Sequence, residues 1–520
     1  MRRSPVLTIV AISCLLFAAA AAAQAQTQNP RLDPVKETIA ASPKASEVPP
    51  LQPTAAPGTE IYFAHRGESI PSIAHRYLGK TSYLTSAELA EAIHQANGNH
   101  TGNILKANQN IVIPGILSAP VVAKTIAVPK DFEVRAVYLT GIMAGSDHGL
   151  RIIRHWREVG GNAVVFDIKD SDGSVNIPWE HPLLGKHNVY LHDLPKFVQF
   201  LHSLNMHAIA RIAIFRDQRL VTEHPELAVK SKRTGQPWRE NGKLVWTDPS
   251  NPEVQEYDIA LAKYVAGLGV DEIQFDYVRF PAEGDQKDAS FLFQSEHPNV
   301  QVPTTRRSLH GESGARISDN SSGPPMQRSD VIVSFLQKAY AEIHPTGALF
   351  SLDVFGVMAW QRSVDLSHTG QDIVRMAKYC DVLSPMIYPS HFFGMDNIAR
   401  PGDAPEHFIG ESMVRFELIT KGSGVVIRPW LQAFHWRTKT YSPEYIKVQV
   451  ATAREKGGIG FLFWNAANDY SKPFVAMPEM KAENYKAGPD SKERSKDNPR
   501  FFRGDELPAG SLQAAATSAH

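Results

Sequence analysis

Between residues 131 and 482 the apolar residues come in short unbroken runs, and most of these runs end in a charge or an aromatic ring. Eight runs recur, at 136–139, 163–167, 208–214, 272–277, 349–353, 382–388, 426–432 and 460–464. They are continuous rather than alternating, as strands covered on both faces of a parallel sheet are. The segments between them carry helical periodicity, at about 149–159, 193–204, 252–268, 329–343, 370–379, 404–420 and 443–456. Strand and helix in strict turn predict an α/β domain, and eight strands are the number that closes a (β/α)8 TIM barrel over 131–482. A doubly wound open sheet is the alternative architecture. No G-x-G-x-x-G follows the first run, so nothing supports a dinucleotide site.

One stretch breaks the rhythm. Residues 283–328, after the fourth run, are rich in Ser, Gly, Pro, Asn and Arg and show almost no periodicity. They are expected to form a disordered insertion or lid in the fourth strand-to-helix connection. Residues 487–520, charged and then rich in Ala and Ser, are expected to be a disordered tail. At the other end Arg2 and Arg3 precede an apolar stretch over 6–23, and small residues lead to Ala23-Gln24-Ala25. That is the pattern of a signal peptide over 1–26, with a retained membrane anchor as the alternative. Residues 27–58, dominated by Pro, Ala, Ser, Thr and Gln, read as a disordered linker.

Residues 59–117 form a small unit of their own. Ile61 to Phe63 suggest a strand, Gly67 to Tyr77 a helix start and helix, and Glu88 to Gln95 a second helix with Leu89 and Ile93 on one face. Asn97-Gly98 turns the chain, and Asn110 to Ile113 closes it with a strand. With its GESIPSIAHRYL start (67–78), AIHQANGN centre (92–99) and NQNIVIPG ending (108–115), this βααβ unit resembles a LysM module. The resemblance implies binding to peptidoglycan or another N-acetylglucosamine-containing glycan. Residues 78–87 lengthen the connection between the two helices relative to that family, where ligand contacts are often made. A module used only for assembly is the other reading.

The chain of 520 residues is too long for one compact core. Lys plus Arg equals Asp plus Glu, and no basic block stands out, so no nucleic-acid partner is expected. Of the two cysteines, Cys14 falls in the expected signal peptide, leaving Cys380 without an internal disulfide partner. The chain has no H-E-x-x-H, no paired C-x-x-C and no G-x-S-x-G, which leaves zinc-protease and serine-hydrolase chemistry without their residues. No cofactor is expected, and His391 and His435 are too scattered to argue for a metal.

The ends of the runs carry the chemistry. In a barrel, catalytic groups project from the carboxyl ends of several strands. Here those ends offer Asp167, Lys169 and Asp170, then Arg211, then Trp246 and Asp248 in the following loop, then Asp276, Tyr277 and Arg279. Later come Asp353, then Tyr388 and His391, then Gln432, His435 and Trp436, and finally Trp464 and Asn465. Charges at the ends of apolar strands are costly unless paired or used. Flat rings such as Trp246, Tyr277, Tyr388, Trp436 and Trp464 stack on the apolar face of a pyranose, while Asp, Asn, Gln and Arg bond its hydroxyls. Glycosidic cleavage needs two carboxyl groups, one of them protonated. Asp276 and Asp353, on neighbouring strands, are the expected catalytic pair, with Asp167 third. A structural ion pair between Asp276 and Arg279 or Arg211, and a core role for Trp464, are the competing explanations.

Residues of about 133–466 resemble the glycoside hydrolase domain catalogued as domain of unknown function 4015. The segments VRAVYLTG (134–141), VVFDIKDSDG (164–173), DEIQFDYVRFP (271–281), LSPMIYPSHF (383–392) and GIGFLFWNA (458–466) carry it. There is a weaker likeness to family 18 chitinase-type barrels, whose fourth strand carries D-x-x-D-x-D-x-E. Aligned on Asp271 and Asp276, its second acid falls at Gln274 and its proton-donating Glu at Val278, so that acid is missing here. The resemblance implies a barrel related to known glycoside hydrolases; with the signal peptide and the LysM-like module, the expectation is a secreted, periplasmic or extracellular glycoside hydrolase associated with the cell wall. Its expected partner is a polysaccharide, with no nucleic acid and, once the signal is cleaved, no membrane. A non-catalytic glycan-binding or cell-envelope assembly protein is the alternative.

Overall fold

A computed structural model describes residues 55–99, 104–296 and 326–481. The expected signal peptide, most of the linker, residues 297–325 of the insertion and the tail lie outside the described residues. The chain divides near residue 120 into two compact units. Among the described residues no helix is long and apolar enough to cross a membrane.

The first unit has the expected βααβ order: Thr59–Phe63, Ile70–Tyr77, Ser86–Ala96 and Asn110–Pro114. Its two strands pair antiparallel, Thr59 opposite Pro114. Ser69 and Ser72 form a capping box at the first helix, and Thr85 caps the second. Asn97 ties the second helix to the closing strand, since its side chain donates to Val112 O at 2.9 Å and accepts from Val112 N at 3.0 Å. Ile70, Ile73, Leu89, Ile93, Ile111 and Ile113 are buried together.

The second unit is a closed barrel. Its strands are Val134–Leu139, Ala163–Lys169, His207–Ala213, Glu272–Asp276, Leu349–Phe355 and Val382–Ile387, followed by a seventh in two pieces, Val426–Ile427 and Trp430–Gln432, and by Gly460–Trp464. All pair in parallel with their neighbours, and the eighth returns to the first. Closure rules out the open doubly wound sheet. The seventh strand breaks at Pro429, which has no N–H for the ladder. Gly460 opens the eighth at φ 76, where a Cβ would sit 2.0 Å from Val134 O, so only glycine lets the last strand close against the first.

Helices cover the barrel as the periodicity predicts, including Asp147–Val159, Leu194–Ser203, Pro252–Ala266, Arg328–Ile343, Pro405–Ile419 and Pro443–Glu455. The segment expected as one helix over 370–379 is different. It holds a four-residue helix, Ile373–Met376, preceded by Ser363–Thr369, and the left-handed Gly370 (φ 73) separates the two.

The insertion also departs from expectation. Residues 283–296 are structured: Ala289–Ser290 pairs antiparallel with Lys230–Ser231, and a short helix, Leu292–Glu296, follows. Phe291 and Phe293 bury their rings 4.8 and 5.8 Å from Phe280. Two aromatic residues suffice to anchor a stretch whose composition otherwise reads as disordered.

The inside of the barrel is polar in layers. At the bottom Glu272 binds Arg428 at 2.8 Å and His207 at 3.1 Å. Burial pushes this carboxyl up, but Arg428 and His207 outweigh it and hold it at about 2. Above it Gln274 donates to Ser384 at 3.3 Å.

Phe291→Ala is expected to destabilise the protein by about 3–5 kcal/mol, as truncation of a buried aromatic ring does, read from urea denaturation. A change below about 0.5 kcal/mol would show that residues 283–296 contribute nothing to the fold.

Candidate active site

Strand alternation sends every second side chain inward, and inward positions towards the upper ends of seven strands meet in one cluster. Tyr138 comes from the first strand, Asp167 from the second, Arg211 from the third, Asp276 from the fourth and Asp353 from the fifth. Trp430 of the seventh and Trp464 of the eighth complete it. Asp167 lies beside Arg211 in register, and the pairing of Phe275 with Leu352 sets Asp276 next to Asp353.

Arg211 is the hub. Its Nη1 is 2.5 Å from Asp167 Oδ1, its Nη2 is 2.5 Å from Asp276 Oδ2, and its Nε is 3.8 Å from Asp353 Oδ2. The Tyr138 hydroxyl donates to Asp167 Oδ2. Trp430 Nε1 donates to Asp353 Oδ1 at 2.6 Å, and the Tyr277 amide donates to Asp276 Oδ1 at 2.6 Å.

One cation faces three buried carboxylates, and two of them are shifted upward. Burial and the neighbouring Asp276 push Asp353 well above the usual carboxylate range, against the pull of Arg211. Burial pushes Asp167 up to about 7; Asp170 adds to this, while Arg211 and Tyr138 oppose it. Exposure then separates the three. The side chains of Asp167 and Asp353 are 0% and 1% exposed and that of Asp276 is 10% exposed. Asp276 is the one that opens to the mouth.

Tyr277, immediately after Asp276, has φ 56, a left-handed conformation that a bulky residue adopts only under constraint. The sharp turn carries its ring into the mouth wall. There Arg279 lies 4.7 Å from the Trp246 ring, 5.5 Å from Tyr277 and 4.4 Å from Phe355. Trp464 is partly exposed and stacks on Tyr138 with centroids 4.2 Å apart, and Arg211 lies 5.5 Å above its ring. Trp464 thus belongs to the cluster around Arg211. Tyr388, His391 and Trp436 lie together, with His391 4.8 Å from Trp436 and 5.4 Å from Tyr388. Burial, aided by Arg437, pushes His391 down to about 4, so its ring is neutral near pH 7.

Other expected sugar-binding residues lie elsewhere or are held by the protein itself. Lys169 turns away into a buried cluster, 2.9 Å from Asp217 and 2.7 Å from Asp258 of the helix Pro252–Ala266. The bulge between Asp167 and Lys169 accounts for this turn. Asp248 accepts from the amide of Leu292 at 2.7 Å and from Ser250, bracing a loop. Gln432 accepts from the Ser390 amide at 3.2 Å and donates to Phe434 O at 3.0 Å, and Asn465 donates to Ala433 O at 2.6 Å. His435 bonds Thr438 O at 3.0 Å. Trp246 is 2% exposed, its face covered by Arg279. Asp170 accepts from the Ser171 amide at 2.5 Å and acts on the cluster through its charge. Tyr138 and Trp430 were missed from sequence, although the inward parity of VRAVYL and WLQ points to both. No three His, Cys, Asp or Glu side chains among the described residues are grouped as a metal site would require.

The family model described as DUF4015, "Putative glycosyl hydrolase domain", matches residues 136–470. No curated protein matches. Among solved structures, a hypothetical protein from Ruminiclostridium thermocellum is 32% identical, covers 42% of this chain and 97% of its own, and has a TM-score of 0.33. The PgaB (BpsB) glycoside hydrolase domain from Bordetella bronchiseptica is 13% identical over 69% of this chain and 97% of its own, with a TM-score of 0.45. The spore cortex-lytic enzyme SleL from Bacillus megaterium is 11% identical over 80% and 85%, with a TM-score of 0.37.

The raised Asp167 has a consequence for stability. An unfolded Asp titrates near ~3.9, so the stability lent by the protonated carboxyl is complete below about pH 4 and is lost as the pH rises towards about 7. In Asp167→Asn the fall of the urea midpoint between pH 4 and pH 7 is expected to be shallower than in the wild type. The slope is the readout, since the lost ion pair offsets the whole curve.

Proposed function

This chain belongs to the DUF4015 family of glycosyl hydrolase domains, and from that premise we propose that it hydrolyses O-glycosidic bonds of a cell-wall or extracellular polysaccharide, with Asp276 at the reacting centre. The observation that carries the reading is the asymmetry of the carboxylates around Arg211. Asp276 is ion-paired and the least covered of the three, while Asp353 beside it is fully covered and pushed well above the usual carboxylate range. Environments that push neighbouring carboxyls apart are how acid and base roles are separated in such sites. Asp276 is placed to meet the charge that develops on the sugar ring, either as nucleophile or by activating water. Trp464 and Tyr388 supply flat surface below and beside it for a pyranose face.

The unit at 59–117 adds the targeting. Its βααβ order and the segments quoted above support a LysM-like module that holds peptidoglycan or another N-acetylglucosamine-containing glycan. A second attachment to the same polymer raises the local substrate concentration without any new contact in the barrel. Residues 1–26 support export to the periplasm or the exterior. The covered position of Asp353 favours one rival: a barrel that holds sugar without cleaving it.

Asp276→Asn separates the two. The variant is expected to keep the fold and glycan binding and to lose turnover by a factor of about 10³ or more, measured as reducing ends released from peptidoglycan, chitin oligomers and exopolysaccharides. Loss of one rim hydrogen bond costs about 1–3 kcal/mol, roughly ten- to a hundredfold, so retention of more than a tenth of the activity would place Asp276 outside the chemistry. Residues 59–117 expressed alone are expected to sediment with insoluble peptidoglycan or chitin; failure on both polymers would remove the targeting role.

A further inference from the structure

A glycosidic bond breaks when a proton reaches its oxygen, and the cluster around Arg211 lacks a group that can deliver one. Asp167 and Asp353 are pushed up but fully covered, and Asp276, the least covered, is bound to Arg211. We propose that Glu283 is the general acid and that Glu240 is its positioning partner, an assignment that rests on the hydrolase reading above.

Glu283 lies seven residues beyond Asp276 on the same strand-to-helix connection. The residues between them build the mouth wall, and the contacts run without a break. Asp276 binds the amide of Tyr277, and Arg279 covers Tyr277, Trp246 and Phe355, the last residue of the strand that carries Asp353. Trp246 Nε1 donates to Glu240 Oε2 at 2.6 Å, and the Glu283 amide donates to Glu240 Oε1 at 3.3 Å. Gly284 lets the two loops meet, for a Cβ there would stand 3.2 Å from both Asn241 N and the Trp238 ring. Asn241 Nδ2 donates to Glu283 Oε2 at 2.9 Å, which fixes the half-buried carboxyl.

The electrostatics agree with the placement. Burial and the charge of Glu240 raise Glu283 to about 7, while Arg279 on its own loop and Arg216 from the third-strand loop pull the other way. A carboxyl that titrates there is protonated in part of the molecules at neutral pH and can be reprotonated between turnovers.

In the step itself Glu283 gives its proton to the glycosidic oxygen as the bond from that oxygen to C1 breaks. The electron pair leaves with the oxygen, the leaving sugar departs as an alcohol, and Glu283 becomes a carboxylate. Water adds to C1, and the proton it sheds restores the starting state. One glycosidic bond and one water are consumed, and two hydroxyl groups form.

The test uses full-length protein and paired phenyl and 2,4-dinitrophenyl glycosides of N-acetylglucosamine, glucose and galactose. Dinitrophenolate leaves without protonation, so Glu283→Gln is expected to lower kcat/KM on the phenyl glycoside by about 10²–10⁴-fold and on the dinitrophenyl glycoside by less than about tenfold. Equal losses on both, or no loss on either, would overturn the assignment while Asp276→Asn still abolishes both and leaves the hydrolase reading intact. No turnover by the wild type on any pair would instead overturn the hydrolase reading, and turnover by Asp276→Asn would place Asp276 outside the chemistry. A substrate-free measurement stands beside these: ¹³C-carboxyl NMR of Glu-labelled protein is expected to show one Glu signal that titrates near pH 7 and vanishes in Glu283→Gln. If the signal lost in that variant titrates near pH 4, Glu283 is not the acid.

Discussion

The upper half of this barrel depends on one buried guanidinium. Arg211 is 3% exposed and lies within reach of carboxylates from the second, fourth and fifth strands. A charge so placed is tolerated because it is paired, and removal of one partner of such a pair typically costs about 3–5 kcal/mol because the other is left uncompensated. The pairing does more than repay desolvation. With fewer positive charges than carboxylates, burial pushes Asp167 up to about 7 and Asp353 well above the usual range, while Asp276, the least covered, is held by Arg211 at 2.5 Å. A purely structural network would need no such imbalance.

The same logic recurs lower in the barrel with the opposite outcome. Glu272 meets both Arg428 and His207, and together they hold it at about 2. The two layers differ in charge balance more than in burial. Balance at the bottom makes a brace, while surplus acid at the top raises the carboxyls that burial covers most. Lys169 forms a third polar cluster, with Asp217 and Asp258, and it locks the second strand to the helix that covers it.

Much of this architecture was legible in the chain. Eight apolar runs with helical periodicity between them meant a parallel sheet covered on both faces, and all eight are strands. The fourth strand was recognisable as the centre, because DEIQFDYVRFP ends an apolar run in an acid, a ring and a cation. Phe291 and Phe293 were passed over, since two rings in a long polar stretch have no periodicity to mark them. Lys169 was misplaced because a bulge, invisible in the sequence, turns it out of the barrel.

The sequence by itself determined the order and type of the elements, because periodicity and capping act over a few residues and need no knowledge of what lies across the fold. It also determined that acids, cations and rings would crowd one end of the barrel, because parallel strands bring all their carboxyl ends to one face. Only the tertiary structure decided which acid is least covered and which are pushed upward. Those properties come from residues far apart in the chain, such as Tyr138 on Asp167, Trp430 on Asp353 and Glu240 on Glu283. Burial and charge are sums over neighbours in space, and neighbours in space exist only once the barrel has closed.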